Sequence, residues 1–309
     1  MRLSILVVSR TADLVSRISR TLIGATDLAA EEVELLVSWN GSDDEEQRIK
    51  TSSSYPIRIA SRDSYHFASN VNTLAQQASG DLLLILNDDV VLDGGSIDAA
   101  IHCLTTIPNA GLVGGRLRSS SGMISHDGVG FTNDHYAYNL FEGLIPISSP
   151  ELRQDPVLSP AVIGALMLIR RDDFVAIRFD ENCQVHGEDT TLCFALRQKT
   201  GLDVLVCPAC SGIHDPSTTR SLISGQDGNS HDIDNLRARR RLFLEQASDV
   251  ELRKELWSAT REAHVLRSLA NVNDETLLLH WRNEVNRLQL HRLRLEQDIR
   301  QLRQDGAQA

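Results

Sequence analysis

An amide and two carboxylates, Asn87-Asp88-Asp89, directly follow the apolar run Leu82-Leu83-Leu84-Ile85-Leu86. Adjacent carboxylates repel, so keeping them together calls for a positive charge beside them. A divalent cation carrying a polyphosphate supplies one, because hard cations prefer oxygen ligands and keep positions open for phosphate. The competing reading is a strand that ends in a solvated acidic turn. A second acidic group, Gly187-Glu188-Asp189-Thr190, opens a helical stretch. Carboxylates in a first helical turn are commonly only caps that meet the helix dipole. The sharper reading makes Asp189 a general base, held at the helix start and aimed into a cleft within hydrogen-bond reach of an alcohol. His214, in Gly212-Ile213-His214-Asp215, is by default a structural histidine; beside carboxylates it adds a nitrogen donor that suits Mn²⁺ well and Mg²⁺ acceptably. Cys207-Pro208-Ala209-Cys210 has the spacing of a redox pair or half a zinc site. A full zinc site wants two further ligands at convincing spacing, so these cysteines read as semi-buried structural residues.

These groups need a sheet edge to stand on. Five apolar residues in a row describe a strand buried on both faces, the pattern of a central parallel strand. Leu3–Val8 reads as a first strand, followed by a helix over Thr11–Ile23 with Leu14, Ile18 and Leu22 at helical spacing. Val33–Val37 is a second strand, ending in the polar turn Asn40-Gly41-Ser42-Asp43-Asp44, and Pro56–Ala60 is a third. Phe67–Ala78 is helical with Gly80 as a stop, Ser96–Thr106 is a helix ended by Pro108, and Gly111–Gly115 enters the next strand. Residues Arg116–Pro160 show weak periodicity and suit loops that shape a pocket. Regularity returns at Val162–Ile169 and Phe174–Phe179, then in a helix Asp189–Gln198 capped by Gly201 and a short strand Val204–Val206. Ser217–Ser230 has loop composition. Alternating strands and helices predict an α/β fold, a doubly wound, mostly parallel sheet with helices on both faces that binds its ligand at the carboxyl edge.

With 309 residues and 41% hydrophobic content, the chain can bury a sizeable core, expected as one large domain, 1–234, and a helical extension, 235–309. The net charge of −11 argues against a nucleic-acid partner. No run approaches the ~20 apolar residues of a membrane span, and the first apolar run is too short for a signal-peptide core. Five scattered cysteines do not suggest a secreted disulfide framework, so a reducing, cytoplasmic location is expected. The tail from Asn235 carries 14 Lys and Arg against 11 Asp and Glu, while the residues before it carry 17 against 31. In it Leu278, Trp281, Val285, Leu288, Arg292, Leu295, Ile299 and Leu302 recur three and four apart, a heptad seam with only Arg292 breaking it. The seam's narrowness and charged flanks favour a coiled coil with a second copy or an earlier helix over packing onto the domain. Peripheral contact with an anionic membrane is a weaker expectation because the charge is mixed.

In their order and spacing, Leu3–Arg10, Asn40-Gly41-Ser42, Phe67-Ala68-Ser69-Asn70, Gly80–Val90, Gly164–Arg170, Phe179-Asp180-Glu181, Gly187-Glu188-Asp189 and Pro208–His214 resemble the inverting family 2 glycosyltransferases of GT-A fold. The likeness is strongest to bacterial polysaccharide and rhamnosyl-type members and covers about residues 3 to 216; Ser125-His126-Asp127-Gly128-Val129 is a looser match. The resemblance implies a nucleotide-sugar donor, UDP- or dTDP-linked in preference to GDP-linked, a glycan or lipid-linked acceptor, and Mn²⁺ or Mg²⁺ as cofactor. It implies that Asp89 and His214 hold the metal, Asp88 faces the ribose or the metal's surroundings, Asp189 deprotonates the acceptor and Glu188 helps to position it. Ser9, Trp39, Asn40 and Asn70 fall where the family contacts the nucleotide. This chain departs from the family at Trp39, where an Asp is common, at Val8-Ser9-Arg10, which lacks the usual Tyr-Asn, and at Ser69, where an Arg often stands. These departures bear on the donor base and leave an inactive scaffold acting through its coiled coil as the alternative. A nucleotidyltransferase is disfavoured, since Ser9–Asp13 has one Arg and no glycine.

Overall fold

The run Leu82–Leu86 is buried along its whole length. Leu82, Leu84 and Leu86 point into one core layer, Leu83 and Ile85 into the other, as the two-residue period of a strand requires. The computed structural model describes residues 2–215, 230–269, 283, 285–290, 292–297 and 300–301. In chain order its elements are β1 (Leu3–Ser9), α1 (Ala12–Ala25), β2 (Val33–Trp39), α2 (Asp43–Glu46), β3 (Ile57–Ser61), α3 (Phe67–Gln77), β4 (Leu82–Leu86), β5 (Val91–Leu92) and α4 (Ser96–Thr106). They continue with β6 (Ala110–Arg118), β7 (Ile124–His126), β8 (Val129–Phe131), β9 (Ala137–Asn139), β10 (Val157–Leu158), β11 (Leu166–Arg170), α5 (Arg171–Ile177), α6 (Glu188–Thr200), β12 (Asp203–Ile213), α7 (Ser230–Gln246) and α8 (Asp249–Leu269).

Ten strands form one mixed sheet in the order β10-β12-β6-β11-β4-β1-β2-β3, with β5 on β12 and β7 on β6. Strands β4, β1, β2 and β3 run parallel, as do β6 and β12; β11 lies antiparallel between β4 and β6. Helices α1 and α4 cover one face, with Val15, Ile18, Leu22, Ile97 and Leu104 in that layer. Helices α3, α5 and α6 cover the other through Val71, Leu74, Phe174, Leu192 and Leu196. All parallel strands of the β1 half end at one edge, where the loops bearing Ser9 and Asp88 meet.

One element differs from the sequence-based expectation and a second matches it in part. The last strand does not stop at Val206. It bulges between Cys207 and Ser211, then resumes pairing with β6 as far as Ile213. The bulge lets the strand pass Pro208, which has no N–H to give to a ladder. The heptad seam, where it is described, meets an earlier helix, one of the two expected pairings, and also the body of the domain. Val285 and Leu288 cluster with Ala263 and Leu266 of α8 and with Ile124 and Phe141 of the body, and Leu295 joins the α6 face. Leu278, Trp281, Ile299 and Leu302 lie outside the described residues, as do 216–229 of the expected loop. The change in charge at Asn235 falls inside α7, whose Phe243 stacks on Phe194 of α6 with centroids 4.8 Å apart. No helix among the described residues is long and apolar enough to cross a membrane.

Candidate active site

At the carboxyl edge of the sheet a cleft of about 500 Å³ opens. Ser9, Asp88, Asp89, Glu188, Asp189 and His214 all line it. β4 ends where the Asn87 N–H donates to the Ala165 carbonyl, 3.0 Å, and the chain turns so that Val90 N–H bonds back to Asn87. That turn puts Asp88 inward, 6% exposed, where it accepts the Ser9 hydroxyl at 2.6 Å. Burial pushes the Asp88 carboxyl up to about 6; neighbouring Asp89 adds to the rise, while the Ser9 hydrogen bond and the Arg17 and Arg10 charges oppose it.

His214 reaches the same place by a different route. The bulged end of β12 pairs antiparallel with β5, Gly212 opposite Leu92 and Ile213 opposite Val91. β5 begins two residues after Asp89, so the pairing carries His214 to the acidic turn. Its Nε2 stands 3.3 Å from Asp89 Oδ1. One carboxylate oxygen and one imidazole nitrogen at that separation could share a cation, and this donor pair would suit Mn²⁺. No group of three His, Cys, Asp or Glu side chains converges among the described residues. A cation held by this pair would take its other ligands from diphosphate oxygens and water, as hard cations at phosphate sites do. The donor set therefore fits a metal shared with a substrate and does not fit a closed structural site. Cys207 and Cys210 are free and buried along with the other three cysteines.

Asp189 lines the same cleft from the start of α6. Gly187, at φ +98°, turns the chain into the helix through a backbone conformation that side chains resist. Asp189 Oδ2 accepts the Gly164 N–H at 2.9 Å, and Oδ1 accepts Thr190 N–H and Oγ1–H at 2.6 and 3.1 Å. The carboxylate is thus fixed in orientation. Gly164 is steadied in turn: the neighbouring Ile163 N–H donates to His126 Nε2 at 3.4 Å, and His126 Nδ1–H donates to Asn139 Oδ1 at 3.0 Å. Burial holds the His126 imidazole down to about 4, so it stays neutral and can accept. Behind it Arg116 and Asp127 form a fully buried ion pair at 2.8 Å.

Three residues expected at the nucleotide do not line the cleft. Trp39 is 1% exposed and belongs to the α1-side core, with its Nε1–H donating to the Ser42 carbonyl at 3.2 Å. Its ring packs under Gly41, where a Cβ would lie 2.6 Å from Trp39 Cζ2. Asn70 is buried and pins the preceding loop, accepting His66 N–H at 2.8 Å and donating to the Ser64 carbonyl at 3.2 Å. Asn40 donates to the Asp63 carbonyl. Asn40 and Asn70 thus hold the Asp63–His66 loop that carries Tyr65, while Trp39 underlies the Gly41 turn. Conversely, Tyr136, Asn139 and Glu142 before, on and after β9, with Leu236 and Arg237 of α7, line the cleft and are not singled out by the sequence. The alternation Tyr136-Ala137-Tyr138 was the available signal.

The family model for glycosyl transferase family 2 matches residues 4–177, more than half of the chain. The chain belongs to glycosyl transferase family 2. Its sequence is 35% identical over 157 residues to the O-antigen biosynthesis protein RfbC of Myxococcus xanthus, covering 48% of this chain and 12% of that protein. The chain thus spans about an eighth of the length of that relative. Among solved structures, the mannosyltransferase PcManGT of Pyrobaculum calidifontis in complex with GDP-Man and Mn²⁺ aligns over 96% of this chain and 86% of its own, with TM-score 0.54 and 13% identity. GalNAc-T7 with UDP, GalNAc and Mn²⁺ aligns over 93% of this chain and 54% of its own, with TM-score 0.57 and 15% identity. At these identities the likeness establishes the GT-A fold. The family 2 match ends before α6, so Asp189, His214 and α7 lie beyond it.

Proposed function

We propose that this family 2 chain catalyses metal-assisted, inverting transfer of a sugar from a nucleotide-sugar, UDP- or dTDP-linked in preference to GDP-linked, to a hydroxyl of a glycan or lipid-linked acceptor in polysaccharide assembly. One observation carries the reading: the Asp89–His214 pair and the braced Asp189 carboxylate share a single cleft large enough for a nucleotide-sugar. The ligands of the two structural neighbours, GDP-Man with Mn²⁺ in one and UDP, GalNAc and Mn²⁺ in the other, and the O-antigen biosynthesis role in the name of the sequence relative support it.

In this reading Asp89 and His214 would hold a divalent ion, Mn²⁺ or Mg²⁺, which would neutralise charge gathering on the departing diphosphate. Asp88, tied to Ser9, closes the floor of the donor site. Asp189 accepts the acceptor hydroxyl proton while that oxygen forms its bond to the anomeric carbon and the carbon–diphosphate bond breaks. Attack from the face opposite the leaving group inverts the anomeric centre. The Gly164 and Thr190 donors keep the base aimed, which matters because misplacement by about 1 Å can cost ~100-fold in rate. Glu188, mostly buried beside the base, helps to position the acceptor. The test is turnover of UDP-, dTDP- and GDP-sugars with Mn²⁺ or EDTA, by wild type and Asp189→Asn. Metal-dependent release of nucleoside diphosphate, lowered ~10²- to 10⁴-fold in the variant, is expected. No turnover of any donor by folded wild type would refute the reading in favour of a catalytically silent scaffold.

A further inference from the structure

Asp232, in the first turn of α7, is 1% exposed, yet nothing in the reaction uses it directly. Its Oδ2 accepts three successive backbone N–H groups, from Gln184 at 2.9 Å, Val185 at 2.7 Å and His186 at 3.1 Å. An anion ringed by consecutive amides is a charge-assisted arrangement, stronger than the same bonds to a neutral oxygen. The three amides belong to the segment that runs through Gly187 into Glu188 and Asp189, and α6 has no side-chain N-cap of its own. Leu236, one helical turn past Asp232, packs over Gly187, where a Cβ would lie 3.5 Å from Leu236 Cδ2.

The far end of α6 is gripped by the same helical region. Arg197 is buried and donates to Glu251 Oε2 at 2.7 Å, to Glu255 Oε1 at 2.6 Å and to the Pro160 carbonyl at 3.0 Å. Glu255 also binds Arg240 of α7. Thus α7 and α8 meet α6 at its N-terminal entry and again at its last turn.

We infer that the helices after residue 230 clamp the base-bearing helix at both ends, and that Asp232 is a positioning residue for Asp189. The inference rests on Asp189 as the base and deepens that reading: it gives the helical extension a part in catalysis. Asp232 lies outside the segment matched by the family model. Without its carboxylate, three amides lose their anionic acceptor and the entry to α6 is released, while Asp88, Asp89 and His214 keep their own supports on β4, β5 and β12.

The experiment compares full-length wild type, Asp232→Asn and Asp232→Glu by amide hydrogen exchange and by steady-state turnover of UDP-glucose, dTDP-rhamnose and GDP-mannose with Mn²⁺. Exchange at Gln184–His186 is expected to rise about tenfold or more in Asp232→Asn. Its kcat is expected to fall roughly 100-fold while the donor KM stays within about twofold, since the metal and nucleotide side is untouched. Asp232→Glu, which keeps the charge, is expected to recover part of both, and it carries the test if the Asn variant does not fold. Unchanged exchange at the three amides overturns the clamp. Faster exchange with unchanged kcat, or equal loss of kcat and donor affinity, overturns the positioning role. Failure of wild type to turn over any donor while its three amides are slow and Asp232→Asn releases them would refute both the transfer reading and the positioning role, leaving a purely structural clamp.

Discussion

Glu255 offers the sharpest energetic test of how the helical region is fastened to the domain. Its two oxygens serve Arg197 and Arg240, and all three side chains are about 2% exposed. In Glu255→Ala, Arg197 keeps Glu251 and the Pro160 carbonyl. Arg240 fares worse: among the described residues its Nε and Nη1 have no acceptor, and it is left against the rings of Phe131, Phe194 and Phe243, the nearest 4.2 Å from its guanidinium. Breaking a buried pair by removing one partner costs roughly 3–5 kcal/mol because the other charge stays buried. At about 2–4 °C per kcal/mol for a domain of this size or somewhat smaller, the melting temperature should fall by roughly 6–20 °C. Urea titration and thermal unfolding of wild type and variant measure it. The double variant Glu255→Leu/Arg240→Leu should recover much of the loss, since apolar replacement of a whole buried pair is often nearly neutral. Burial by itself would raise the Glu255 carboxyl, but Arg240 and Arg197 outweigh it and hold it down to about 2 from its ordinary 4.5. A depressed carboxylate stabilises the fold above its unfolded value. Its contribution, on the order of 3 kcal/mol, is therefore present at neutral pH and is lost as pH falls from about 4.5 towards 2. A loss below about 1 kcal/mol in Glu255→Ala, or the same acid slope in wild type and variant across that window, would refute the reasoning.

Trp39→Phe should keep nucleotide affinity within about twofold while costing ~1 kcal/mol for the lost indole bond to Ser42, checked by calorimetric titration with nucleoside diphosphates and by melting. A large drop in affinity at unchanged stability would return Trp39 to the nucleotide. Gly187→Ala forces a side chain into φ +98° and should destabilise by ~1–3 kcal/mol and slow turnover more than it weakens donor binding, as read from urea unfolding and a kcat-against-KM comparison.

Much of this architecture is legible in the sequence, and the misreadings have physical causes. The unbroken Leu82–Leu86 run announces a strand buried on both faces, and its position fixes where Asp88 and Asp89 must stand. Gly187 and Gly201 bracket α6 because both positions need left-handed backbone. The resemblance puts Trp39 beside the nucleotide through its neighbour, the Asn40-Gly41-Ser42 turn, while the strand period puts its ring in the core: Val33, Leu35, Val37 and Trp39 share one face and all four enter the α1-side core. A strand over Val204–Val206 stops short of Pro208, which has no N–H to give to a ladder; a bulge carries the chain past the proline, and only the pairing with β5 reveals why His214 meets Asp89. Strands of two or three residues between 124 and 158 are too short to show any period. The seam through Val285, Leu288 and Leu295 reads correctly as apolar and recurring, but periodicity names a buried face and not what covers it. Asp232 gave no signal at all, since a carboxylate among Ser230, His231 and Asp234 looks solvated until the three amides it holds are seen.

The central claim is that Asp89 and His214 hold a cation that carries the donor's diphosphate. The direct measurement is calorimetric titration of UDP, dTDP and GDP into wild type and Asp89→Ala, with Mn²⁺ and with EDTA. The account predicts Mn²⁺-dependent binding of one nucleotide that falls at least about tenfold in EDTA and equally in Asp89→Ala, in a variant that stays folded. Nucleotide binding of equal strength with and without metal, or binding that survives Asp89→Ala, would contradict it.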